Sequence, residues 1–412
     1  MKIHRMGEEV APDSAWSTRY FCPRDIEFGT AQTSSMESNT DFAWDLGSRP
    51  SRLRFVVALI ATCLVACSGH DGRSGLDSTS STAPTPTDAA ATSSTEAPPT
   101  SGSNPTPSEV DPYVGVLPAA PTIGTTTDEW FAAPDGLRRH FRLYVPSSVG
   151  QVDARPLLIA LHGGLGTSAQ FATNSGFDGL AESNGFVVVY PDGIGARPDG
   201  SGYQTWNGGY CCGPAARLDV DDVSFVRALI DLIESRMEID PDRVFAAGHS
   251  NGAIMAYRLA CELSDRIVAI GIQAGSLGVD ECEIQAPVSV LHIHGTADAN
   301  HPIDGGRGAG IAGVVFRSAR VAVRRLAEAD GCESGPLLQS NPSWPDIEIR
   351  TWTGCEGVAE VRLITVDGAS HAWMGHAAAS AMATGFVGGP YPGFDSSRAI
   401  WSFLSLHPRR SD

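Results

Sequence analysis

The sequence predicts an α/β protein with a mostly parallel sheet covered by helices on both faces. Strand candidates alternate with helical segments through residues 112–412, the pattern of β–α–β units. Most of those strands are apolar at every position instead of alternating, as strands buried on both faces are. The third observation is Arg243–Arg258. There an apolar run (Val244, Phe245, Ala246, Ala247) leads into Gly248-His249-Ser250-Asn251-Gly252, and Ala253, Ile254, Met255, Ala256, Tyr257, Leu259 and Ala260 follow as helix formers. A G-x-S-x-G turn between strand and helix exposes its serine on a strained backbone, and side chains two residues either side must be nearly absent.

The whole-chain balance narrows the classes. The formal charge of −18 over 412 residues argues against nucleic-acid binding, which needs a basic footprint. Nine cysteines (Cys22, Cys63, Cys67, Cys211, Cys212, Cys261, Cys282, Cys332 and Cys355) form no pattern with zinc spacing, and no metal or cofactor is expected. In an exported chain the last six would be disulfide candidates.

Export is written near the start. Residues 1–48 are polar and without an apolar period; they are expected to be a disordered or non-native extension, with translation beginning at or near Met36. Within 49–66, Arg49, Arg52 and Arg54 precede the apolar run Phe55–Val65. That is a basic region and a core of signal-peptide length, too short to span a bilayer. Leu64-Val65-Ala66-Cys67 resembles the lipobox of bacterial lipoproteins, in which the cysteine is acylated; a simple secretory cleavage site is the other reading. Residues 67–111 are mostly Ser, Thr, Pro, Ala and Gly, with a few acids and almost no large apolar side chain. Such a segment buries too little surface to order itself and is expected to be a tether with a reach of roughly 35 Å. The expected location is the outer face of the cell membrane through the lipid, or the medium.

The folded part, 112–412, reads in order. Phe141–Val145 alternates and is stopped by Pro146, an edge-type strand. Pro156–Leu161 is a buried strand ending in His162-Gly163-Gly164-Leu165, a helix follows over Ser168–Ser183, and Phe186–Tyr190 is the next buried strand. A Gly-rich loop over Ile194–Leu218 carries Trp206, whose ring could stack on a substrate or pack as a lid, and the adjacent Cys211 and Cys212. Asp222 is placed to cap an amphipathic helix bearing Phe225, Val226, Leu229, Ile230 and Ile233. Ile267–Ile272 and Val288–Ile293 are further buried strands, Val314–Ala329 a helix, Ile347–Trp352 and Val358–Val366 strands, and Ser396–Leu406 a closing helix.

A serine nucleophile needs a base, a carboxylate to orient the base, and donors for the developing oxyanion. Asp298 lies just past the strand Val288–Ile293, with Asp304 as rival; His371 lies just past the strand ending at Val366, with His376, His292, His294, His301 and His162 as competitors. His292 and His294 fall within or at the end of a strand and precede the acid, and His162 belongs to the loop after Leu161. The N–H of Asn251, next to the serine, is one expected oxyanion donor. The other is Gly164, with Leu165 second, because His162-Gly163-Gly164 resembles the H-G-G turn that supplies such an N–H in esterases.

These stretches together make a specific resemblance. Leu161–Gly164, Trp206–Gly213 with Asp-Asp-Val-Ser-Phe after it, Gly248–Cys261, His292–Asp298 and Ser370–Trp373 resemble the polyhydroxybutyrate depolymerase / feruloyl and acetylxylan esterase group of α/β-hydrolases, in particular its mycobacterial-type lipoprotein branch. The resemblance implies the α/β-hydrolase fold, a serine hydrolase acting on carboxylic esters, and Ser250, Asp298 and His371 as nucleophile, acid and base. It implies Cys332 paired with Cys355, and Cys211 and Cys212 paired with Cys261 and Cys282 in an open order. Neighbouring cysteines do not pair easily with each other without strain. Ala369-Ser370 and Met374 depart from the group's more glycine- and proline-rich pattern, which implies a reshaped pocket rim. A serine peptidase with the same three residues, and a non-catalytic surface lipoprotein on the same scaffold, are the competing expectations.

Overall fold

The computed structural model describes residues 121–148, 154–197, 200–377 and 381–409. All belong to the second of the chain's two units, Ser103–Asp412. The extension (1–48), signal segment (49–66) and tether (67–111), with Cys67, lie outside the described residues.

Uninterrupted apolar runs make the central strands, and the segments between them fold back as helices. In chain order the elements are β1 (Thr126–Ala132), β2 (Arg138–Tyr144), β3 (Arg155–Leu161), α1 (Ser168–Ser175), α2 (Phe177–Asn184), β4 (Val187–Pro191), α3 (Gly213–Arg217), α4 (Asp222–Glu234), β5 (Ile239–His249) and α5 (Asn251–Glu262). There follow β6 (Ala269–Gln273), β7 (Ser289–Gly295), the short pair β8 (Gly306–Arg307) and β9 (Val315–Phe316), α6 (Ala319–Ala329), β10 (Ser334–Asn341), β11 (Trp344–Thr353), β12 (Val361–Val366), α7 (Ala381–Val387) and α8 (Ser396–Leu404). Among the described residues ten strands form one sheet in the order β1-β2-β4-β3-β5-β6-β7-β12-β11-β10. The six from β4 to β12 run parallel, and an antiparallel pair closes each edge.

The two faces have separate cores, which is why the strands are apolar throughout. Leu157, Ile159, Val244, Ile270 and Val290 point to the face covered by α4, α5 and α6, where Leu229, Leu259 and Val323 meet them. Leu158, Val188, Phe245, Leu291 and Ile293 point the other way, onto Phe171 and Phe177 and onto Ile400 and Trp401 of α8. This is the α/β-hydrolase arrangement. Among the described residues no helix is long and apolar enough to cross a membrane.

Several expectations change. β2 is not at the edge: β1, whose Thr-Thr-Asp-Glu-Trp-Phe-Ala sequence is half exposed, pairs antiparallel along its whole length. The helix expected over Ser168–Ser183 is two, because Gly176 takes a left-handed conformation (φ 63°) and ends α1 by donating to the Ala172 carbonyl. Asp221, not Asp222, caps α4, accepting from the Ser224 N–H at 3.0 Å. α6 starts only at Ala319, capped by Ser318, because Val315–Phe316 is spent on β9. β10 escaped notice because all but its last residue is exposed, leaving no apolar signal.

One buried carboxyl makes a pH-dependent contribution. Asp330, at the end of α6, accepts the Val288 N–H at 2.9 Å, while its Oδ2 is buried without a hydrogen-bond partner. Burial pushes its pKa up to about 7. A carboxyl raised in the folded state keeps a proton that the unfolded chain releases, so stability falls as pH rises from about 4 to about 7. Asp330→Asn is therefore expected to shrink the drop in urea unfolding free energy between about pH 5 and about pH 8; an unchanged drop would assign it to other groups.

Candidate active site

The strand β5 delivers Ser250 through a turn that tolerates only glycine on either side. A Cβ at Gly248 would collide with the Gly252 carbonyl, and one at Gly252 with the carbonyls of Leu161 and His162. The serine itself sits at φ 55°, ψ −117°, a left-handed region that L-residues avoid. Its N–H is held by the Gln273 carbonyl at 3.0 Å, so the strain is borne by the neighbouring strand β6. The result is a hydroxyl raised above the sheet at the head of α5.

Two loops from the same sheet edge meet that hydroxyl. Thr296, Ala297 and Asp298 follow β7, and Gly368–His371 follow β12, its parallel neighbour. The loops are laced together: the Ala297 N–H donates to the Ala369 carbonyl at 3.0 Å, and the Thr296 hydroxyl donates to Asp367 at 2.6 Å. Within this frame His371 Nδ1 lies 2.7 Å from Asp298 Oδ2, and His371 Nε2 lies 2.8 Å from Ser250 Oγ. The other Asp298 oxygen accepts the N–H groups of Asn300 (2.9 Å) and His301 (2.8 Å). Burial alone would raise the Asp298 pKa, but the His371 imidazole, its hydrogen bond and the His301 N–H bring it below the usual carboxylate value. An ionised carboxylate holds Nδ1 protonated, leaving Nε2 to accept the serine proton.

The competitors are placed elsewhere. Asp304 is exposed and pairs with Arg320 at 3.0 Å; His376 pairs with Asp395 at 3.3 Å. His162 is buried, its Nδ1–H donating to the Gly163 carbonyl and its Nε2 accepting the Gly193 N–H. His292 and His294 are buried inside the sheet.

The loop after β3 lies against the turn, and an ideal Cβ on Gly164 would sit 3.5 Å from the Asn251 Cβ. Leu165, the second-choice donor, is spent: its N–H donates to the Gln204 carbonyl at 2.7 Å. Gly164 and Asn251, at the head of α5, are thus the expected donors that lie side by side at the turn. The Asn251 amide also clamps the loop behind, accepting the Trp206 N–H at 2.7 Å and donating to the Trp206 carbonyl at 3.1 Å.

Trp206 corrects its expected role. The side chain is fully buried, and its indole N–H donates to the His162 carbonyl at 3.0 Å. It is a strut under the loop after β3 and, fully buried, presents no face to a substrate. Behind it, Asp222 explains the paired acids after the cysteines. Fully buried, it accepts Arg139 at 2.6 Å and the Asn207 N–H at 2.8 Å, fastening the Trp206 loop to β2. The cysteine expectation is also corrected. Cys261 and Cys282, with Cα atoms 4.8 Å apart, pair with each other, and among the described residues Cys211 is joined to Cys212. Cys332 pairs with Cys355.

Two residues that hold the His371 loop were not singled out in the sequence. His249, the variable residue before the serine, faces the His371 carbonyl with Nε2 at 2.8 Å, and burial lowers its pKa to about 3, so it serves as a neutral donor. Gln273, buried at the end of β6, donates to the Ala372 carbonyl at 2.8 Å and accepts the Met374 N–H at 3.2 Å. A polar amide ending an otherwise apolar strand was the available signal. Among the described residues no group of three or more His, Cys, Asp or Glu is arranged to hold a metal.

Residues 139–326, from β2 through most of α6, match the Esterase PHB depolymerase family. Over that stretch the chain is similar to the polyhydroxybutyrate depolymerase / feruloyl and acetylxylan esterase group of α/β-hydrolases. It is 31% identical over 234 residues to feruloyl esterase B of Piromyces equi, covering 55% of this chain and 41% of that one. It is 31% identical over 163 residues to the bifunctional acetylxylan esterase/xylanase XynS20E of Neocallimastix patriciarum, covering 40% of this chain and 22% of that one. The chain thus spans less than half the length of either relative. A solved structure of acetyl xylan esterase from Aspergillus awamori superposes with a TM-score of 0.44 at 16% identity, covering 60% of this chain and 94% of that one.

The clamp on Trp206 can be tested by stability. Asn251→Ala keeps the backbone N–H but leaves the buried Trp206 N–H without an acceptor. It is expected to lower the urea unfolding free energy by about 2 kcal/mol, and an unchanged midpoint would show that the loop is held by its other contacts.

Proposed function

We propose that the protein is an exported, lipid-anchored serine esterase that hydrolyses carboxylic esters through an acyl-enzyme. The observation that carries this reading is the unbroken chain from Ser250 Oγ to His371 Nε2 (2.8 Å) and from His371 Nδ1 to Asp298 Oδ2 (2.7 Å). Ser250 attacks the ester carbonyl while His371 takes its proton; Asp298 holds the imidazole in the required tautomer and balances the imidazolium charge. The N–H groups of Asn251 and Gly164 receive the oxyanion. His371 then returns the proton to the leaving alkoxide, the alcohol departs, and water repeats the sequence on the acyl-Ser250 ester to release the acid.

The names of the relatives, feruloyl and acetylxylan esterases, and of the family, a polyhydroxybutyrate depolymerase, support acyl esters on polysaccharide or hydroxybutyrate polyesters as the substrate class. The anchor reading rests on Leu64-Val65-Ala66-Cys67 after its basic and apolar segments. The Ser/Thr/Pro-rich tether would carry the hydrolase outward from the membrane.

Ser250→Ala is expected to lower kcat on p-nitrophenyl acetate by roughly 10⁴-fold or more and to abolish labelling by a fluorophosphonate probe. Hydrolysis near the wild-type rate would sink the assignment. For the anchor, Cys67→Ser is expected to lose metabolic fatty-acid label and to move the protein into the medium; label retained on the variant would refute acylation at that position.

A further inference from the structure

A buried polar chain runs from α5 to the acid loop, and no step of the proposed hydrolysis uses it. β7 is covered on both faces, yet positions 292 and 294, which share a face, are fully buried histidines. Two apolar side chains would fill that space without desolvating an imidazole. The rings lie stacked with centroids 5.2 Å apart, and His292 Nε2 is 2.9 Å from His294 Nδ1. At one end the Tyr257 hydroxyl is 2.8 Å from His292 Nδ1. At the other, His294 Nε2 is 2.8 Å from the His301 carbonyl oxygen and 3.5 Å from Asp298 Oδ2.

The chemistry allows one direction along this chain. A carbonyl oxygen only accepts, so His294 Nε2 carries the hydrogen and, in a neutral ring, Nδ1 accepts. His292 Nε2 must then donate, and its own Nδ1 accepts from Tyr257. Burial keeps both rings neutral, lowering His294 from its ordinary value and His292 well below it, and keeps the Tyr257 hydroxyl protonated.

The terminus lies on the acid itself. The His301 N–H holds Asp298 Oδ1 at 2.8 Å, and His294 holds the carbonyl of that same His301. The His294 N–H also faces Asp298 Oδ2, the oxygen that receives His371. We propose that His294 is a positioning residue for the acid, fixed in its tautomer by His292 and Tyr257, and that it sets the carboxylate's rotation toward His371. The inference rests on the reading of Ser250, Asp298 and His371 as the hydrolytic triad.

The test is steady-state hydrolysis of p-nitrophenyl acetate by the full chain, with thermal melting and the low-field proton resonance of the His371–Asp298 hydrogen bond measured beside it. His294→Phe is expected to lower kcat by roughly 10- to 100-fold with KM unchanged, the scale of a misplaced catalytic group. His294→Gln, whose amide can place an N–H where Nε2–H stood, is expected to regain most of that loss. Tyr257→Phe deletes one hydroxyl and is expected to lower kcat several-fold and shift the resonance while KM holds. Wild-type kcat in His294→Phe overturns the proposal, as does a loss that the glutamine does not regain and that follows the folded fraction. Should His294→Phe fail to fold, unchanged kcat and resonance in Tyr257→Phe overturn it alone. Ser250→Ala in the same panel separates the two levels. If it is inactive while the Tyr257 and His294 variants behave as wild type, only the positioning role fails; if it is active, the triad reading fails and the inference with it.

Discussion

The strained turn at Ser250 is the constraint on which the rest of the molecule depends. A non-glycine residue at φ 55° is held there only if its surroundings leave it no alternative. Here they are backbone: the turn is wedged against the end of β3 by Gly252, folded onto itself at Gly248, and bonded to β6 through the Ser250 N–H. All three contacts come from central parallel strands with cores on both faces. Those cores are thus what keeps the hydroxyl in place, and the edge pairs β1–β2 and β10–β11 serve the turn only by shielding the centre.

Around that turn, loops are fixed by buried polar groups, each with a partner. Asn251 and the Trp206 indole lock the loop after β3; Gln273 and His249 lock the His371 loop; the Asp298 turn locks its own carboxylate. Each is a side chain bonding backbone, the means by which irregular segments near a sheet edge satisfy their peptide groups. The geometry at the serine is thereby over-determined from several directions.

What could be read from the sequence follows from where the signal is strong. Continuous apolar runs such as Pro156–Leu161 mark central strands because burial on both faces leaves no place for a polar residue, and that was enough for the fold class. Ser250, Asp298 and His371 could be picked out because each stands just past such a run. Edge strands were illegible: one side of β1 and nearly all of β10 meets water, so their composition is that of loops. Partner choice among buried groups was illegible too. Cys261 and Cys282 meet because α5 ends beside residue 282, and Trp206 is interred because Asp222 and Asn251 draw its loop inward. These are facts of three-dimensional proximity that no local pattern encodes.

The parallel order of the sheet also has a meaning in time. The base is joined to the serine across 121 residues of chain and to the acid across 73, and it hangs from β12, which pairs with β7 through a non-local crossover. Such long-range pairings form late, after the loop-closure entropy has been met. A chain emerging amino-terminus first would complete β3 to β7 and present the serine and the acid without their proton acceptor. The proposed triad would then be completed in one late event, the docking of β12 against β7.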